Sequence, residues 1–362
     1  MPVQTENVWK ISERDFPGTA SLERQLRFLV RYAILAPSTR NTQPWRFAVA
    51  TNRVHLFADL ERDQPVSDPD RRELHLSLGC ALENLLVAAE CFGLRYEVTY
   101  VPEYASVELV ATIAFEPGGT PSPARAGITL DAIVRRHTDN GVYRSAPLTE
   151  DARRRLEASR MEEELRLDLT DDHHFRRWVE QLTLEADRLE FADPEFRAEL
   201  GRWLREGAFG LPKVLSRLGS LALSRLDLGD PVAKQDQKIV DSAPLLGLIS
   251  ATSDSHLAHL RSGQLFERLW LAATAMGVSV HPMSQTMRHP DIRSAMAELI
   301  PARGWVPQHL FRVGYSLREG EPCHHTPRRA LEEVLPDPEE DAGQCQCGDL
   351  PAEARAPITR TS

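Results

Sequence analysis

Residues 79–93 read GCALENLLVAAECFG, and residues 263–277 read GQLFERLWLAATAMG. At an offset of 184 residues the two stretches share their first and last glycines, one glutamate, one leucine and two alanines. Each stretch places apolar residues at helical spacing, ends in a glycine suited to a helix C-cap, and precedes a strand-like run. Two amphipathic helices can resemble one another by chance. The matching ends, glutamate and following strands favour an internal duplication.

Length and composition agree with two fused copies of one unit. The chain has 362 residues, with 53 acidic and 43 basic side chains and a formal net charge of -10. This balance does not favour binding to nucleic acid or to an anionic membrane. The first twenty residues lack the apolar core of a secretory signal, and the five cysteines form no disulfide framework. We therefore expect a cytoplasmic protein with no nucleic acid and no membrane partner.

Helical and strand-like patterns alternate along the chain, and a hairpin joins RFAVA (46–50) to VHLFAD (54–59) at Asn52. This combination predicts an α+β fold rather than a doubly wound sheet. The expected division of the chain is a first half over 1–117, a linker over 118–127, a second half over 128–336 and a disordered tail over 337–362. A helical insertion at about 195–240 has no counterpart in the first half, and it is either extra core or a cover over a cleft.

The stretch APSTRNTQPWRF (36–47) carries the clearest chemistry. Ser38, Thr39 and Asn41 crowd short hydrogen-bonding side chains at a turn between a helix and a strand, an arrangement that suits a planar ligand rich in heteroatoms. Alternatively these residues only cap the turn. The chain contains no GxGxxG, P-loop, HExxH, GxSxG or paired CxxC motif, so those nucleotide, zinc and serine-hydrolase functions lose support.

PSTRNTQPWRF resembles the flavin-binding signature of the nitroreductase family, whose members are FMN-dependent and generally homodimeric. Three further segments resemble family motifs: RRHTD (135–139), GVSVHPMSQ (277–285), and VGY (313–315) followed by PRRALEEVL (327–335). The first motif lies only in the first half, and the others lie only in the second. The distribution is similar to that of the fused, tandem Acg-like subgroup, and it implies a nitroreductase-like fold in which two fused copies form an intramolecular pseudo-dimer with one composite site.

The resemblance implies a role for each matching residue. Ser38, Thr39 and Asn41 are expected at the isoalloxazine and ribityl region of FMN. Arg136 and Thr138 are expected at its phosphate, with Arg328 or Arg329 as a second basic contact. Asn140 stands where the family motif has an arginine, so this sequence lacks one basic phosphate contact of the family. The backbone of Pro282, Met283, Ser284 and Gln285 is expected at the flavin edge, with an amide of Ser284 or Gln285 donating to N5. Alternatively, the arginine pairs are solvated basic faces.

The implied function is that of an FMN-dependent NAD(P)H oxidoreductase. Hydride transfer at flavin N5 would reduce a small nitroaromatic or quinone-type acceptor, and no side chain is needed as a catalytic acid, base or nucleophile. One alternative is a protein that binds or sequesters FMN under a closed lid with little turnover, and another is a scaffold without flavin. A pseudo-dimer can be complete as a monomer, and the sequence leaves further association open.

Other polar clusters give weaker signals. Cys323, His324 and His325 with Cys345 and Cys347 match no zinc module, so no metal site is predicted. His281 lies in the expected flavin-facing strand and is interpreted as a packed core histidine. Trp178, Trp203 and Trp270 lie on helical patterns and are predicted to be core.

Overall fold

The structure is a computed structural model that describes residues 8–101, 106, 108–210, 215–217, 219–220, 229–300, 303–318 and 325–336. The regular elements of these residues are α1 (Leu22–Ala33), β1 (Trp45–Ala50), β2 (Arg53–Ala58), α2 (Arg72–Cys91), β3 (Leu94–Tyr100), β4 (Leu109–Pro117), α3 (Leu130–Arg135), α4 (Glu150–Glu157), β5 (Leu165–Thr170), α5 (His173–Ala192), α6 (Pro194–Arg205), α7 (Gly229–Asp241), β6 (Leu245–Ala251), α8 (His256–Ala275), β7 (Ser279–Pro282), α9 (Gln285–Arg288), α10 (Pro290–Glu298), β8 (Val306–Gly314) and α11 (Leu331–Val334). The tail over 337–362, which the sequence predicts to be disordered, lies outside the described residues.

The strands of the described residues form two four-stranded antiparallel sheets with the same topology. The first has the order β1-β2-β4-β3, and the second has the order β5-β6-β8-β7. In the first sheet Ala50 pairs with Arg53, which places the hairpin turn at Asn52 as the sequence predicts. Mixed helix and sheet with one topology used twice confirms the α+β fold and the duplication.

Helices α2 and α8 contain the repeated stretches and pack directly against each other. A Cβ atom on Gly79 would overlap the carbonyl oxygen of Leu260, and a Cβ atom on Gly263 would overlap the carbonyl oxygen of Leu76. Leu76 and Leu260 are themselves related by the 184-residue offset of the repeat. The contact is therefore reciprocal, as it is across a two-fold axis between identical subunits.

Helix α2 forms the centre of the core. By length and composition it is the one described helix that could cross a membrane, but 94% of the relevant window is buried inside the protein. It contacts α1, β2 and β3 as well as α8. This burial accounts for its hydropathy, and the location of the protein in the cell stays a prediction.

A buried ion network joins α2 to the segment between the two halves. Glu83 is fully buried, and its Oε1 lies 2.6 Å from Arg125 Nε and 2.8 Å from Arg268 Nε. Burial alone would raise the pKa of Glu83, but the two arginines outweigh it and lower the pKa to about 2. Arg125 belongs to the segment 118–127. That segment therefore inserts a charged side chain into the interior instead of merely connecting the halves.

The helical insertion is described in part, because residues 211–214, 218 and 221–228 lie outside the described ranges. Its first helix, α6, is joined to the loop after α1 by an ion pair of 3.0 Å between Glu199 Oε1 and Arg40 Nη1. The two side chains are 4% and 7% exposed. The start of the insertion is thus fixed against the first half.

The prediction that Trp178 lies in the core is wrong, since this side chain is 52% exposed. Helix α5 buries the face with Val179, Leu182 and Ala186, and Trp178 lies about 100° away from Val179 around the helix axis. Trp203 and Trp270 are buried as predicted.

Replacing either crossing glycine tests the reciprocal contact. We expect Gly79→Ala and Gly263→Ala each to lower the free energy of unfolding by about 1–3 kcal/mol or more, because the new methyl group overlaps the carbonyl oxygen of the facing helix. Chemical denaturation monitored by circular dichroism measures the change. Gly18→Ala is the matched control, since a Cβ there meets only an ordinary contact with Phe16. Wild-type stability in both helix variants would contradict the packing.

Candidate functional site

A cavity of about 990 Å³ lies between the two halves. Its walls include residues 37–41, the α2 side chains Glu73, Leu76, Ser77 and Cys80, residues 135–140, and the α8 side chains Phe266 and Trp270. Residues after β7 and residues 325, 326 and 328 near the C-terminal end of the described chain complete it. The volume is within the range of ligand pockets in proteins.

The first half contributes the loop that follows α1. The short 3-10 turn Thr39–Asn41 has positive φ angles at Arg40 (51°) and Asn41 (56°), a backbone conformation that asparagine tolerates better than most residues. The Ser38 hydroxyl accepts the backbone N–H of Gln43 at 2.9 Å, and the Thr39 backbone N–H donates to the Ser77 hydroxyl at 3.3 Å. These bonds fix the loop in the cavity wall, where Ser38, Thr39 and Asn41 all lie.

Asn41 connects three separate parts of the chain. Its Nδ2 atom donates to the carbonyl oxygens of Ala208 and Pro327, both at 2.9 Å, and its Oδ1 accepts from Arg328 Nη1 at 2.9 Å. Both amide protons are therefore used by the protein itself. Ala208 and Phe209, which belong to the helical insertion, also line the cavity.

Two arginines form a cationic wall. Arg136 Nη2 and Arg328 Nη2 both donate to the carbonyl oxygen of Leu35, each at 3.1 Å, so the two guanidinium groups are neighbours. Burial lowers the pKa of Arg328, and the charge of Arg136 lowers it further. Among the described residues Glu267 is the carboxylate at ion-pair distance, with Oε1 3.4 Å from Arg136 Nε. Positive charge exceeds negative charge in this wall, which favours an anion.

The sequence left open whether Arg328 or Arg329 contributes to the site. Arg328 lines the cavity, whereas Arg329 is not among the cavity residues. Arg329 Nη1 lies 2.8 Å from Asp59 Oδ2, and its backbone N–H donates to Gln43 Oε1 at 2.8 Å. Arg329 therefore anchors the C-terminal segment to the first half.

The second half contributes Thr138 and Asn140 after α3, and Pro282, Ser284 and Gln285 after β7. Met283 lies among them in sequence but packs into the core with its side chain 2% exposed. In the region where Asn140 replaces the arginine of the family motif, Arg144 and Arg318 also line the cavity. The structure thus brings together Ser38, Thr39, Asn41, Arg136, Thr138, Pro282, Ser284, Gln285 and Arg328, and it leaves the side chains of Met283 and Arg329 outside.

Glu73 is a cavity residue that the sequence reasoning missed. Its Oε2 accepts from Thr39 Oγ1 at 2.5 Å and from Ser284 Oγ at 2.9 Å, so one buried carboxylate joins the loops of the two halves. Burial alone would raise the pKa of Glu73, but His309, Arg288 and these hydroxyl donors outweigh it and lower the pKa. The available signal was the helical spacing that places Glu73 and Ser77 on one face of a largely apolar helix.

Two cavity histidines are neutral at physiological pH. Burial and, after it, the charge of Arg312, whose Nε donates to His281 Nδ1 at 3.1 Å, together lower the pKa of His281 to about 3. Burial likewise lowers the pKa of His309 to about 4. His281 is only partly buried and lines the cavity, so the prediction that it is a packed core histidine is wrong. Neither imidazole is in its protonated, cationic form near pH 7.

Within the described part of the chain, no group of three or more His, Cys, Asp or Glu side chains could hold a metal ion. Cys323, His324, Cys345 and Cys347 lie outside that part. His325 stacks on Trp9 with ring centroids 3.9 Å apart and lines the cavity.

Fold and cavity together define an α+β protein with two similar halves that share one cationic cavity. The curated relatives include Rv3131 of Mycobacterium tuberculosis, which is named as an NAD(P)H nitroreductase and is 32% identical over 325 residues, covering 87% of this chain and 92% of the relative. The Acg protein of the same organism, named likewise, is 29% identical over 336 residues, covering 88% and 97%. PigM of Serratia, with a name of the same kind, is 26% identical over 345 residues, covering 87% and 94%.

The chain therefore belongs to the NAD(P)H nitroreductase family, and the family resemblance in its motifs is confirmed. No protein-family model matches the chain. One solved structure similar to it is that of the FMN-dependent nitroreductase NfnB from Mycobacterium smegmatis in complex with NADPH, with 16% identity, a TM-score of 0.38, and coverage of 56% of this chain and 96% of that chain. The assignment to the family depends on the sequence relatives.

The neutral state of His309 predicts a pH dependence of stability. Between pH 6.5 and about 4 the unfolded chain binds a proton at this histidine and the folded chain does not, so folding loses up to about 1.4 kcal/mol per pH unit as the pH falls. We expect His309→Gln to remove this contribution. Urea unfolding of both proteins from pH 7 to pH 5 measures it, and a difference in unfolding free energy that stays constant over this range would refute the prediction.

Proposed function

We propose that this chain binds FMN in the cavity and uses it to pass electrons from NAD(P)H to a small nitroaromatic or quinone-type acceptor. The observation that supports this best is the pair of guanidinium groups of Arg136 and Arg328, which share the carbonyl oxygen of Leu35 in a cavity formed by both halves. Family membership supports the same reaction class, since relatives that align over most of their length are named as NAD(P)H nitroreductases.

The donors in the cationic wall fit the phosphate of FMN. The Nε atoms of Arg136 and Arg328 are buried and have no hydrogen-bond partner among the described residues. Arginine binds phosphate through charge-assisted hydrogen bonds, which are stronger than neutral ones. A bound phosphate would supply the negative charge that this wall lacks. Arg136 and Arg328 would then hold the phosphate, with Thr138 beside them.

The rest of the cavity fits a planar ring system. Phe266 and Trp270, one helical turn apart on α8, lie with ring centroids 5.2 Å from each other and give one wall an aromatic surface. Ser38 and Thr39 line the cavity from the first half, and Pro282, Ser284 and Gln285 line it from the second. In this arrangement the loop after α1 and the segment after β7 would hold opposite edges of the isoalloxazine, with a backbone amide of Ser284 or Gln285 near N5.

When bound, FMN supplies the two-electron chemistry at its N5 atom. The chain's own residues bind and orient it. Glu73 holds the hydroxyl protons of Thr39 and Ser284, which fixes the distance between the two walls. His281 and His309 are neutral near pH 7 and are not suited to donate a proton there. The proposed reaction needs no side-chain acid or base, because the cofactor carries the chemistry.

A second candidate function is storage or sequestration of FMN under a closed cover. One observation favours it: Asn41 donates to the carbonyl oxygen of Ala208, and Phe209 of the same insertion lines the cavity. The ion pair between Arg40 and Glu199 holds the start of this insertion against the Ser38–Asn41 loop. A cover fixed in this way would limit the access of NAD(P)H or an acceptor.

Steady-state kinetics tests the proposed function. We expect purified protein with FMN to show flavin absorbance and to oxidise NADH or NADPH when a nitroaromatic or quinone is present. Glu199→Gln weakens the ion pair that holds the insertion, and Glu195→Gln, an exposed change on the same helix, is its matched control. A flavin-loaded wild-type protein without turnover, which gains turnover only in Glu199→Gln, would support the second candidate. A colourless protein that does not bind added FMN would overturn both candidate functions.

The neighbouring arginines give an internal test of the phosphate site. We expect Arg328→Ala to weaken FMN binding by about 1.5–3 kcal/mol, because a charged hydrogen-bond donor in the cavity wall is lost. Arg329→Lys is the control one position away: it lies outside the cavity and keeps a cation that can pair with Asp59, so the C-terminal segment stays anchored and FMN affinity should stay near the wild-type value. Fluorescence titration of FMN measures both constants. Equal losses in the two variants would show that Arg328 has no special role in binding.

A further inference from the structure

Glu267 on α8 has an unusual environment for a carboxylate. It is 0% exposed, and neither carboxylate oxygen has a hydrogen-bond partner among the described residues. Arg136 Nε lies 3.4 Å from Oε1 without forming a hydrogen bond. A buried carboxylate held only in this way is poorly stabilised as an anion.

The equivalent residue of the first half shows the contrast. Glu83 is also fully buried, but its two oxygens accept hydrogen bonds from Nε and Nη2 of both Arg125 and Arg268. These arginines hold the pKa of Glu83 at about 2. Burial raises the pKa of Glu267 to about 7, with Arg136 opposing the rise. The same position of the repeat therefore holds a firmly ionised carboxylate in one half and an easily protonated one in the other.

The groups that face Glu267 come from several elements. Cys80 and Glu83 lie on α2, Arg136 follows α3, and Arg328 comes from the C-terminal segment. Burial raises the pKa of Cys80 well above its usual value, so the thiol stays neutral. His325 lies near Arg136 as well. Burial, followed by the charges of Arg136 and His137, lowers the pKa of His325 to about 4.

The net charge of Arg136, Arg328 and Glu267 would change sign if a phosphate dianion bound beside them. With Glu267 ionised, these three buried or half-buried side chains carry one net positive charge, and the dianion would turn it into one net negative charge. Phosphate would also draw the guanidinium of Arg136 toward itself, so that Glu267 loses its ion partner. Of the negative groups then present, Glu267 has the fewest hydrogen bonds. Protonation of Glu267 restores neutrality at the smallest cost.

We propose that Glu267 is an internal counterion of the anion site: it neutralises Arg136 in the empty protein and takes up one proton from solvent when a phosphate dianion binds at Arg136 and Arg328. The proposal rests on the proposed function in that FMN is the expected carrier of this phosphate. It adds a positioning residue that touches the arginine and not the ligand, and it links cofactor binding to pH.

Isothermal titration calorimetry with FMN at pH 8 tests the proposal, since a phosphate monoester with a second pKa of about 6 is already a dianion there. Titrations in two buffers of different ionisation enthalpy give the number of protons taken up. We expect a value near one for FMN. Between pH 7.5 and 8.5 the dissociation constant should rise by a factor approaching ten per pH unit. Riboflavin, which lacks the phosphate, should bind without proton uptake and with constant affinity.

Glu267→Gln keeps the shape of the side chain and removes the proton site. We expect it to bind FMN without proton uptake and with an affinity that does not change from pH 7.5 to 8.5. His325→Gln is the matched control for the other titratable group near the two arginines, and it should keep the wild-type proton uptake. Uptake that disappears in His325→Gln, or persists in Glu267→Gln, would overturn the proposal. Should Glu267→Gln fail to fold, FMN and riboflavin are compared on the wild-type and His325→Gln proteins. Uptake for FMN alone that survives in His325→Gln supports the proposal, and no uptake for FMN overturns it.

Inorganic phosphate separates this inference from the proposed function. Phosphate binding with proton uptake, in a protein that binds no flavin, would support the counterion and refute the proposed function. FMN binding without proton uptake would refute the counterion and leave the proposed function intact. If neither FMN nor inorganic phosphate binds, both are wrong.

Discussion

The close packing of α2 against α8 at Gly79 and Gly263 sets the geometry on which the cavity depends. With a hydrogen atom as the side chain at each crossing position, the backbone of one helix can rest on the carbonyl groups of the other. Cavity residues project from the same two helices: Glu73 and Ser77 from α2, and Trp270 from α8. Their spacing follows from the helix contact, so a change in the distance between α2 and α8 would move both walls at once.

The duplicated fold has become asymmetric at its charged positions. Glu83 and Glu267 occupy equivalent places, but two arginines of the interior saturate the first, whereas the second pairs with one arginine that also faces the cavity. Arg125, which reaches Glu83, comes from the segment between the halves. This segment thus fills one of two related positions with an internal ion network, and the other, at Glu267, is left with a single arginine at ion-pair distance.

The sequence was most informative where a local pattern has a local cause. The repeat at 79–93 and 263–277 predicted two packed copies, and the loop at 36–47 predicted a cavity residue at Asn41, because helix caps, turns and extended prolines are encoded within a few residues. It could not separate Arg328 from Arg329, since the choice depends on which way the backbone turns after Pro327. The role of Glu73 was also missed, because its partners Thr39 and Ser284 are far away in sequence.

One consequence of the covalent joining of the two halves concerns dilution. A pocket formed between separate subunits is lost when the protein concentration falls below the dissociation constant of the dimer. Here Asn41 and Arg328, which touch across the pocket, belong to one polypeptide, and the linkage keeps them at a high effective concentration at any number of molecules per cell. A cell could keep only a few copies of such a protein and still have a complete pocket in every copy.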